Sequence, residues 1–552
     1  MVGAAASGVY HRLQFRRWPV KKCLKAILLL VILLPAFAAA ADGDRENVDL
    51  QMVTRIRYEI FHNSKVMETL SELTDRFGPR LTGSPAMKKA AEWTRGQLES
   101  WGLSNAHLES WPFGRSWSNE FISVRMTSPS TATLIAVPGG WSPGTQGVIR
   151  GKAIKVKLQT DEDLEKNKGK LAGMIVLNGD AREVKPHTEA EMRRYDPKAL
   201  EELYSFTPRP PPEAGMEQLL KRLRFQRKLE RFFDAEKPLA IIQPSGWGDG
   251  GSVLTNLTLW QFQQEVPQLP VPELIMAAEH YNRLARLLDR KVAVELELDV
   301  RNEFYEGVMG YNVLAEIPGG DKKDEVVMLG AHLDSTHGGT GATDDAAGVA
   351  VMMEAVRILK VLGVKPRRTI RVALWDGEEQ GQLGSRNYAL AHLASMRAPA
   401  HPERGDVLPM DLLDPGSFTP KPEHAKISGY FNVDSGTGML RGVYLQENAA
   451  VRPIFEAWIE PLRDLGVTTL SMRNTGGSDH LAFDAVGIPG FEFIQDPIEY
   501  GTRTHHTNMD VYDRIQANDV MQAAAVVASF VYHAAMRDQM LPRKPLPKSA
   551  TQ

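Results

Sequence analysis

The segment from Ala331 to Gly348 (AHLDSTHGGTGATDDAAG) carries His332, Asp334, Asp344 and Asp345, and a second acidic cluster follows at Asp376, Glu378 and Glu379. An imidazole nitrogen grouped with carboxylate oxygens is a donor set that suits Zn²⁺, and a carboxylate beside such a set is free to act as a base. His332, Asp344 and Glu379 are therefore candidate metal ligands and Glu378 a candidate general base. The chemistry these residues suggest is metal-assisted hydrolysis.

Their setting argues that they are placed rather than scattered. Glu325 to Leu329 (EVVML) reads as a buried strand that ends next to His332, and a helix is expected to begin near Asp345, with Val349, Met352, Met353, Val356 and Leu359 at helical spacing. Thr369 to Trp375 (TIRVALW) reads as a second strand delivering Asp376, Glu378 and Glu379, and Ile427 to Val433 as a third delivering Asp434. In an open α/β sheet, ligands collect outside the carboxyl ends of the strands. A fourth strand-like run, Gly490 to Ile494 (GFEFI), leads to His505, His506 and Asp510. Adjacent residues of an extended chain point to opposite sides, so one of the two histidines, rather than both, is expected at the site. His337 reads as plain loop. Ser478, Asp479 and His480 are consecutive and cannot converge as a catalytic triad.

In this order and spacing, His332 with Asp334, Asp344 with Asp345, Glu378 with Glu379, Asp434, and His506 with Asp510 resemble the co-catalytic zinc exopeptidase family that includes secreted aminopeptidases and carboxypeptidase Q. The late His-x-x-x-Asp of that pattern selects His506 over His505. The resemblance implies an α/β fold, a mixed, largely parallel sheet flanked by helices, and two Zn²⁺ per chain. Asp344 would bridge the ions, His332 and Asp434 would complete one shell, and Glu379 and His506 the other. Glu378 would carry the proton to the leaving amine, and Asp334 would orient the His332 imidazole. A cis peptide between Asp344 and Asp345 is also implied. Asp479, His480 and Phe483, with Tyr500 and Arg503, are the residues it suggests for the substrate pocket.

Composition frames the site. The chain has 552 residues, too many for one core, and a formal net charge of -3 with a pI near 6.6; nothing in it points to nucleic acid. Residues 1–41 have the layout of a secretory signal peptide: basic residues from Arg16 to Lys25, an apolar run through Leu34, then small residues at Ala38 to Ala41. That implies a secreted or periplasmic protein with no stable membrane span in the mature chain. Cys23, the one cysteine, lies within this segment, so the mature chain has no disulfide.

Residues 42–128 read as the first part of the peptidase domain, with helices expected from about Val48 to Glu109 interrupted by a break from Phe77 to Pro85. Residues 129–298 change texture, with short strand-like runs at Thr133 to Val137, Met174 to Leu177 and Leu239 to Ile242, and resemble an inserted, mainly-β protease-associated domain. A basic helix from Met216 to Phe233, after a turn from Pro208 to Pro212, is read as a solvated face with Leu219, Leu223 and Leu229 packed inward. Residues 299–540 are the catalytic domain, and 541–552 a flexible tail. Asn256 begins a glycosylation sequon. The expected activity is hydrolysis of dipeptides or short peptides, carboxypeptidase Q-like, with aminopeptidase action as the alternative and a homodimer as one option for assembly. A glutaminyl-cyclase type of acyl transfer and a non-catalytic binding protein are the competing classes.

Overall fold

The computed structural model describes residues 46–206, 216–255, 261–396 and 418–545. The expected signal segment with Cys23, the Pro208 to Pro212 turn, Asn256 and the end of the tail lie outside the described residues. In chain order the strands are β1 (Ser104–Ser128), β2 (Ala132–Thr133), β3 (Ala136–Pro138), β4 (Ile149–Val156), β5 (Ile175–Asn178), β6 (Ala240–Pro244), β7 (Glu273–Met276) and β8 (Glu295–Ile317). There follow β9 (Lys322–His332), β10 (Arg368–Trp375), β11 (Ala394–Met396), β12 (Phe418–Pro420), β13 (Ile427–Asn432), β14 (Leu440–Tyr444), β15 (Thr469–Ser471) and β16 (Gly490–Gln495).

All but β11 and β12 join one mixed sheet in the order β15-β14-β16-β13-β9-β10-β8-β4-β5-β6-β7-β3, with β1 paired to β8 and β2 to β1. Its centre is parallel: β9 pairs with β10 and β13, and β13 with β16, all in the same direction. The sequence explains the centre. Val326 to His332 are buried without a break, the near-continuous apolar run that a parallel strand covered on both faces requires. The helix Ala347–Val361 is buried at every position but its last two, and packs against β9 and the helix Ala517–Met536. Ala517–Met536 is long and apolar enough to cross a membrane, yet its apolar window is 89% buried inside the protein.

Among the described residues the two largest hydrophobic clusters are separate, as a chain of this length requires. One gathers the helices around β9, β10, β13 and β16. The other lies around β4 to β7 and the helix Ala278–Asp289, with Val124, Ile175, Ile242, Leu284 and Leu296 among its members. The ribbon of β1 and β8 runs through both, since β8 pairs with β10 at its end and with β4 at its start.

Two expectations need correction. The helical reading of residues 48–109 ends early: helices Leu50–Asn63 and Pro85–Ser100 form, but β1 starts at Ser104. Residues 129–298 are mixed α/β rather than mainly β. Besides strands of at most 8 residues, this segment holds helices at Asp161–Asn167, Pro197–Glu202, Met216–Glu236 and Ala278–Asp289. The strands β4 to β7 pair in parallel, and crossovers between parallel strands need helical connections of this kind.

Phe530 is fully buried and meets Phe431, Phe455, Trp458 and Phe493. Phe530→Ala is expected to lower unfolding stability by about 3–5 kcal/mol, measured as a shift of the denaturant midpoint at unchanged slope. A loss below about 1 kcal/mol would mean that this aromatic cluster does not hold the helix to the sheet.

Candidate metal centre

Adjacent parallel strands bring the acidic residues to one level. Trp375 of β10 pairs with His332 of β9, and Asn432 of β13 with Gly330, so Glu378, Glu379 and Asp434 emerge a few residues beyond the same line. Asp344 sits in the turn Ala342–Ala346 ahead of the helix Ala347–Val361. That helix can start close to the site because residue 348 is glycine: a Cβ there would lie 2.4 Å from the Asp345 carboxylate and from the Val433 carbonyl. The Asp344–Asp345 peptide is cis.

The two carboxylate oxygens of Asp344 face different partners. Its Oδ1 is 3.1 Å from His332 Nε2, which in turn lies 3.5 Å from Asp434 Oδ1. Its Oδ2 is 3.3 Å from His506 Nε2, which lies 3.1 Å from Glu379 Oε2. Two ligand atoms bound tetrahedrally at about 2.0–2.1 Å to one Zn²⁺ stand about 3.3 Å apart. The spacings of the two groups fit that value. Asp344 Oδ2 and Glu379 Oε2 are moreover buried and accept no hydrogen bond, and buried carboxylate oxygens need a positive partner. The donor set thus fits divalent cations on both sides of Asp344.

Supporting bonds fix each of these groups. His332 Nδ1 donates to the Asp334 carbonyl at 3.0 Å, which leaves Nε2 aimed at Asp344. The Asp334 carboxylate, expected to orient the imidazole, stands 3.6 Å from His332 Nδ1 through Oδ1 and has further partners of its own. It accepts from the backbone N–H of Glu378 at 3.1 Å, from that of Glu379 at 3.2 Å and from Thr82 Oγ1 at 3.0 Å. Asp510 accepts from the Thr343 N–H at 2.6 Å and the Asp344 N–H at 3.2 Å. Glu492 Oε1 accepts from the Asp434 N–H at 2.9 Å, and its other oxygen accepts from Asn432.

Arg80, Thr82 and Glu492 are supports that sequence reasoning did not single out. The Arg-Leu-Thr-Gly-Ser stretch at Arg80 to Ser84 and the acid inside GFEFI were the available signals. The fully buried Arg80 donates to the carbonyls of Leu333, Thr340 and Gly341, threading the loop that carries the ligands. Burial pushes it down to about 10, and the nearby Asp510 and Asp334 charges work against that fall.

A cavity of about 470 Å³ opens over the cluster, lined by Glu378, Gln382, Asp434, Ser435, Ser478, Glu492, Tyr500, His505 and His506 among others. Among the described residues no Lys or Arg lines it. Of the expected substrate residues, Tyr500 is in the lining. Asp479, His480 and Phe483 are not: all are buried below it, with Asp479 accepting from Ser385 and His480 bonded to the Thr475 carbonyl. Arg503 does not line it either, because its guanidinium is paired with Glu191. The expectation that only one of His505 and His506 reaches the site also needs correction. The chain is not extended there, since His506 has φ of 57°, and both imidazoles come to Asp344, with His505 Nε2 at 3.8 Å. His506 is the nearer, and it alone of the two also pairs with Glu379. His337 is half-buried, packed edge-on against Trp117 and bonded to the Pro138 carbonyl.

Without a cation, protons compensate this cluster. Burial alone would lower His332, but Asp434, Asp334 and Asp344 raise it well above the usual range. His506 is pushed up to about 10, the Glu379 and Asp344 charges outweighing burial. Burial lifts Glu378, Glu379 and Asp434.

Residues 312–531 match the profile of Peptidase family M28. Carboxypeptidase Q of Mus musculus is 26% identical over 484 residues, covering 87% of this chain and 88% of its own. A Peptidase M28 precursor from Shewanella amazonensis aligns with a TM-score of 0.62 at 25% identity, covering 90% of this chain and 98% of that one. A zinc aminopeptidase from Bacillus subtilis shares the fold at a TM-score of 0.53 and 19% identity, with 86% and 95% coverage.

Because metal ligands must be deprotonated, a cation entering the site has to displace the protons held on His332 and His506. Zinc binding is therefore expected to release protons at neutral pH, and its affinity to climb as pH rises, up to about 10 where His506 loses its proton. Calorimetric titrations in two buffers of different ionisation enthalpy measure the release. Binding with no proton released would contradict the assignment of these two imidazoles.

Proposed function

We propose that this chain, a zinc metallopeptidase of the co-catalytic zinc exopeptidases of Peptidase family M28, hydrolyses dipeptides and short peptides with a free amino end, using two zinc ions. The observation that carries this reading is the split of Asp344, whose two oxygens face separate donor groups. In this reading His332, Asp434 and Asp344 would hold one ion, and Glu379, His506 and Asp344 the other. Zinc bound here would supply Lewis-acid polarisation of the scissile carbonyl and acidification of water.

The remaining work falls to residues of the chain. Glu378 lines the cavity beside the proposed ligands, and Gln382 Nε2 donates to its Oε1 at 2.8 Å, which holds the side chain in place. It takes a proton from the attacking water and returns it to the departing amine, so that water adds across the amide and a carboxylate and an amine leave. The terminus is chosen by charge. A cavity lined by carboxylates without Lys or Arg favours a substrate ammonium over a carboxylate. Cleavage of a dipeptide from its amino end gives the same products as cleavage from its carboxyl end, so this reading accommodates both a carboxypeptidase Q-like dipeptidase and an aminopeptidase.

The reading extends to residues 129–298 as a protease-associated type of insert beside the catalytic domain, and to export directed by residues 1–41. The layout of that leading segment and the position of the insert between β1 and β8 support both.

Glu378→Gln is expected to keep zinc near the wild-type content while kcat falls by about 10²–10⁴-fold; turnover at the wild-type rate would remove Glu378 from the role. Native mass spectrometry of the chain should count two zinc ions, and a count of one would favour the cyclase alternative. With a tripeptide free at both ends, the expected first product is the amino-terminal residue. Release of the carboxyl-terminal residue would reverse the polarity, and hydrolysis of dipeptides alone would mark a strict dipeptidase.

A further inference from the structure

The loop that brings His506 to the centre is built from both sides by residues that precede β8. Arg193 and Ile498 exchange backbone hydrogen bonds of 2.9 and 2.8 Å. Thr502 Oγ1 donates to the Glu191 carbonyl at 3.3 Å. On the other side, Thr255 donates its N–H to the His506 carbonyl at 2.7 Å, Asn508 its N–H to the Val253 carbonyl at 3.2 Å, and Val253 its N–H to Asn508 Oδ1 at 2.7 Å. Ser252 Oγ donates to the Arg503 carbonyl. One side-chain pair ties the two: Arg503 Nε donates to Glu191 Oε2 at 2.8 Å and Nη2 shares the same oxygen, with the guanidinium 25% and the carboxylate 17% exposed. Glu191 is itself steadied by His187 Nδ1 at 3.2 Å, and His187 by Asp249 at 2.8 Å.

The backbone needs such a frame. His506 sits at φ of 57°, the left-handed region that a residue with a Cβ enters only where its surroundings fix it. His332 and Asp434 are held differently. They follow central strands, and the bonds that support the His332 imidazole and the Asp434 backbone come from Asp334 and Glu492, at the ends of the central strands and in the sheet itself.

We propose that the Glu191–Arg503 ion pair, backed by the ladder of residues 253–255 against 506–508, is a positioning device for His506, so that one of the two cations is retained by the insert and the other by the catalytic sheet alone. This rests on the two-zinc reading. Glu191 and Arg503 touch neither substrate nor cation; they act through the loop from Arg503 to His506. Loss of such a supporting interaction typically weakens metal affinity by about 10–100-fold.

The test is a zinc titration of the full chain in competition with a chromophoric chelator, on wild type, Glu191→Gln, Arg503→Gln, the charge exchange Glu191→Arg with Arg503→Glu, and His506→Ala. The proposal expects one ion to weaken by about tenfold or more in each single variant while the other keeps its wild-type affinity. The charge exchange should restore part of the loss. Adding Glu191→Gln to His506→Ala should cost nothing further, because the same ion is concerned. Two ions held at wild-type affinity in the single variants would overturn this inference and leave the two-zinc reading standing. Equal weakening of both ions together with a lower melting temperature would also overturn it, since that is general destabilisation. A wild-type chain that binds no zinc would overturn the function reading and this inference with it.

Discussion

Everything at the centre of this protein depends on holding buried carboxylates close together. Asp334, Asp344, Asp345, Glu378, Glu379 and Asp434 are all buried or line one cavity. In a medium of low effective dielectric, like charges at such distances repel by several kcal/mol unless something positive stands among them. The fold answers with Arg80, the imidazoles and backbone N–H groups. Arg80 faces the back of the ligand loop, while the N–H groups of Glu378 and Glu379 point at Asp334 and those of Thr343 and Asp344 at Asp510. These partners occupy the rear of the carboxylates and leave Asp344 Oδ2 and Glu379 Oε2 facing the His506 imidazole, with no backbone donor. The arrangement is half neutralised from behind, and the front is where a cation fits.

That constraint explains how much the sequence reveals. Ligand chemistry restricts residue type, and strand ends restrict position, so His332, Asp344, Glu379 and Asp434 stand out before any coordinates. The parallel centre is legible too, because EVVML and TIRVALW carry apolar residues on both faces. The β1 and β8 ribbon is harder to read. Pro112 and Gly114 lie inside β1 and look like breakers, yet the ribbon absorbs them as register shifts beside Gly114 and Ser116. The short strands between β1 and β8 are hidden for another reason: β5 to β7 are 4 or 5 residues long and become strands by pairing in parallel with one another.

Long-range pairing accounts for the remaining surprises. Arg503 looks like a free cation near a substrate pocket until Glu191, 312 residues earlier, takes up its guanidinium. Asp479 and His480 are suggested for the substrate pocket by resemblance, but they are covered and bonded below the cavity. Neighbouring histidines look mutually exclusive while the chain is assumed extended, and the left-handed turn at His506 removes that assumption. Local pattern identifies the groups able to do chemistry. Which of them face the cavity is decided by partners that local pattern cannot contain.

The continuous ribbon also bears on how the two cores can move. β8 runs for 23 residues within the one sheet, from the strands of one core to those of the other, hydrogen-bonded to β1 along most of its length. No peptide linker there can serve as a pivot, because rotation of one core against the other would have to bend two paired strands together and break ladder bonds. Such a ribbon deforms by twisting over many residues. Access to the cavity is therefore governed by small changes of sheet twist and by loop motion at its rim, and a protease seeking an exposed joint between the cores would find a paired strand in its place.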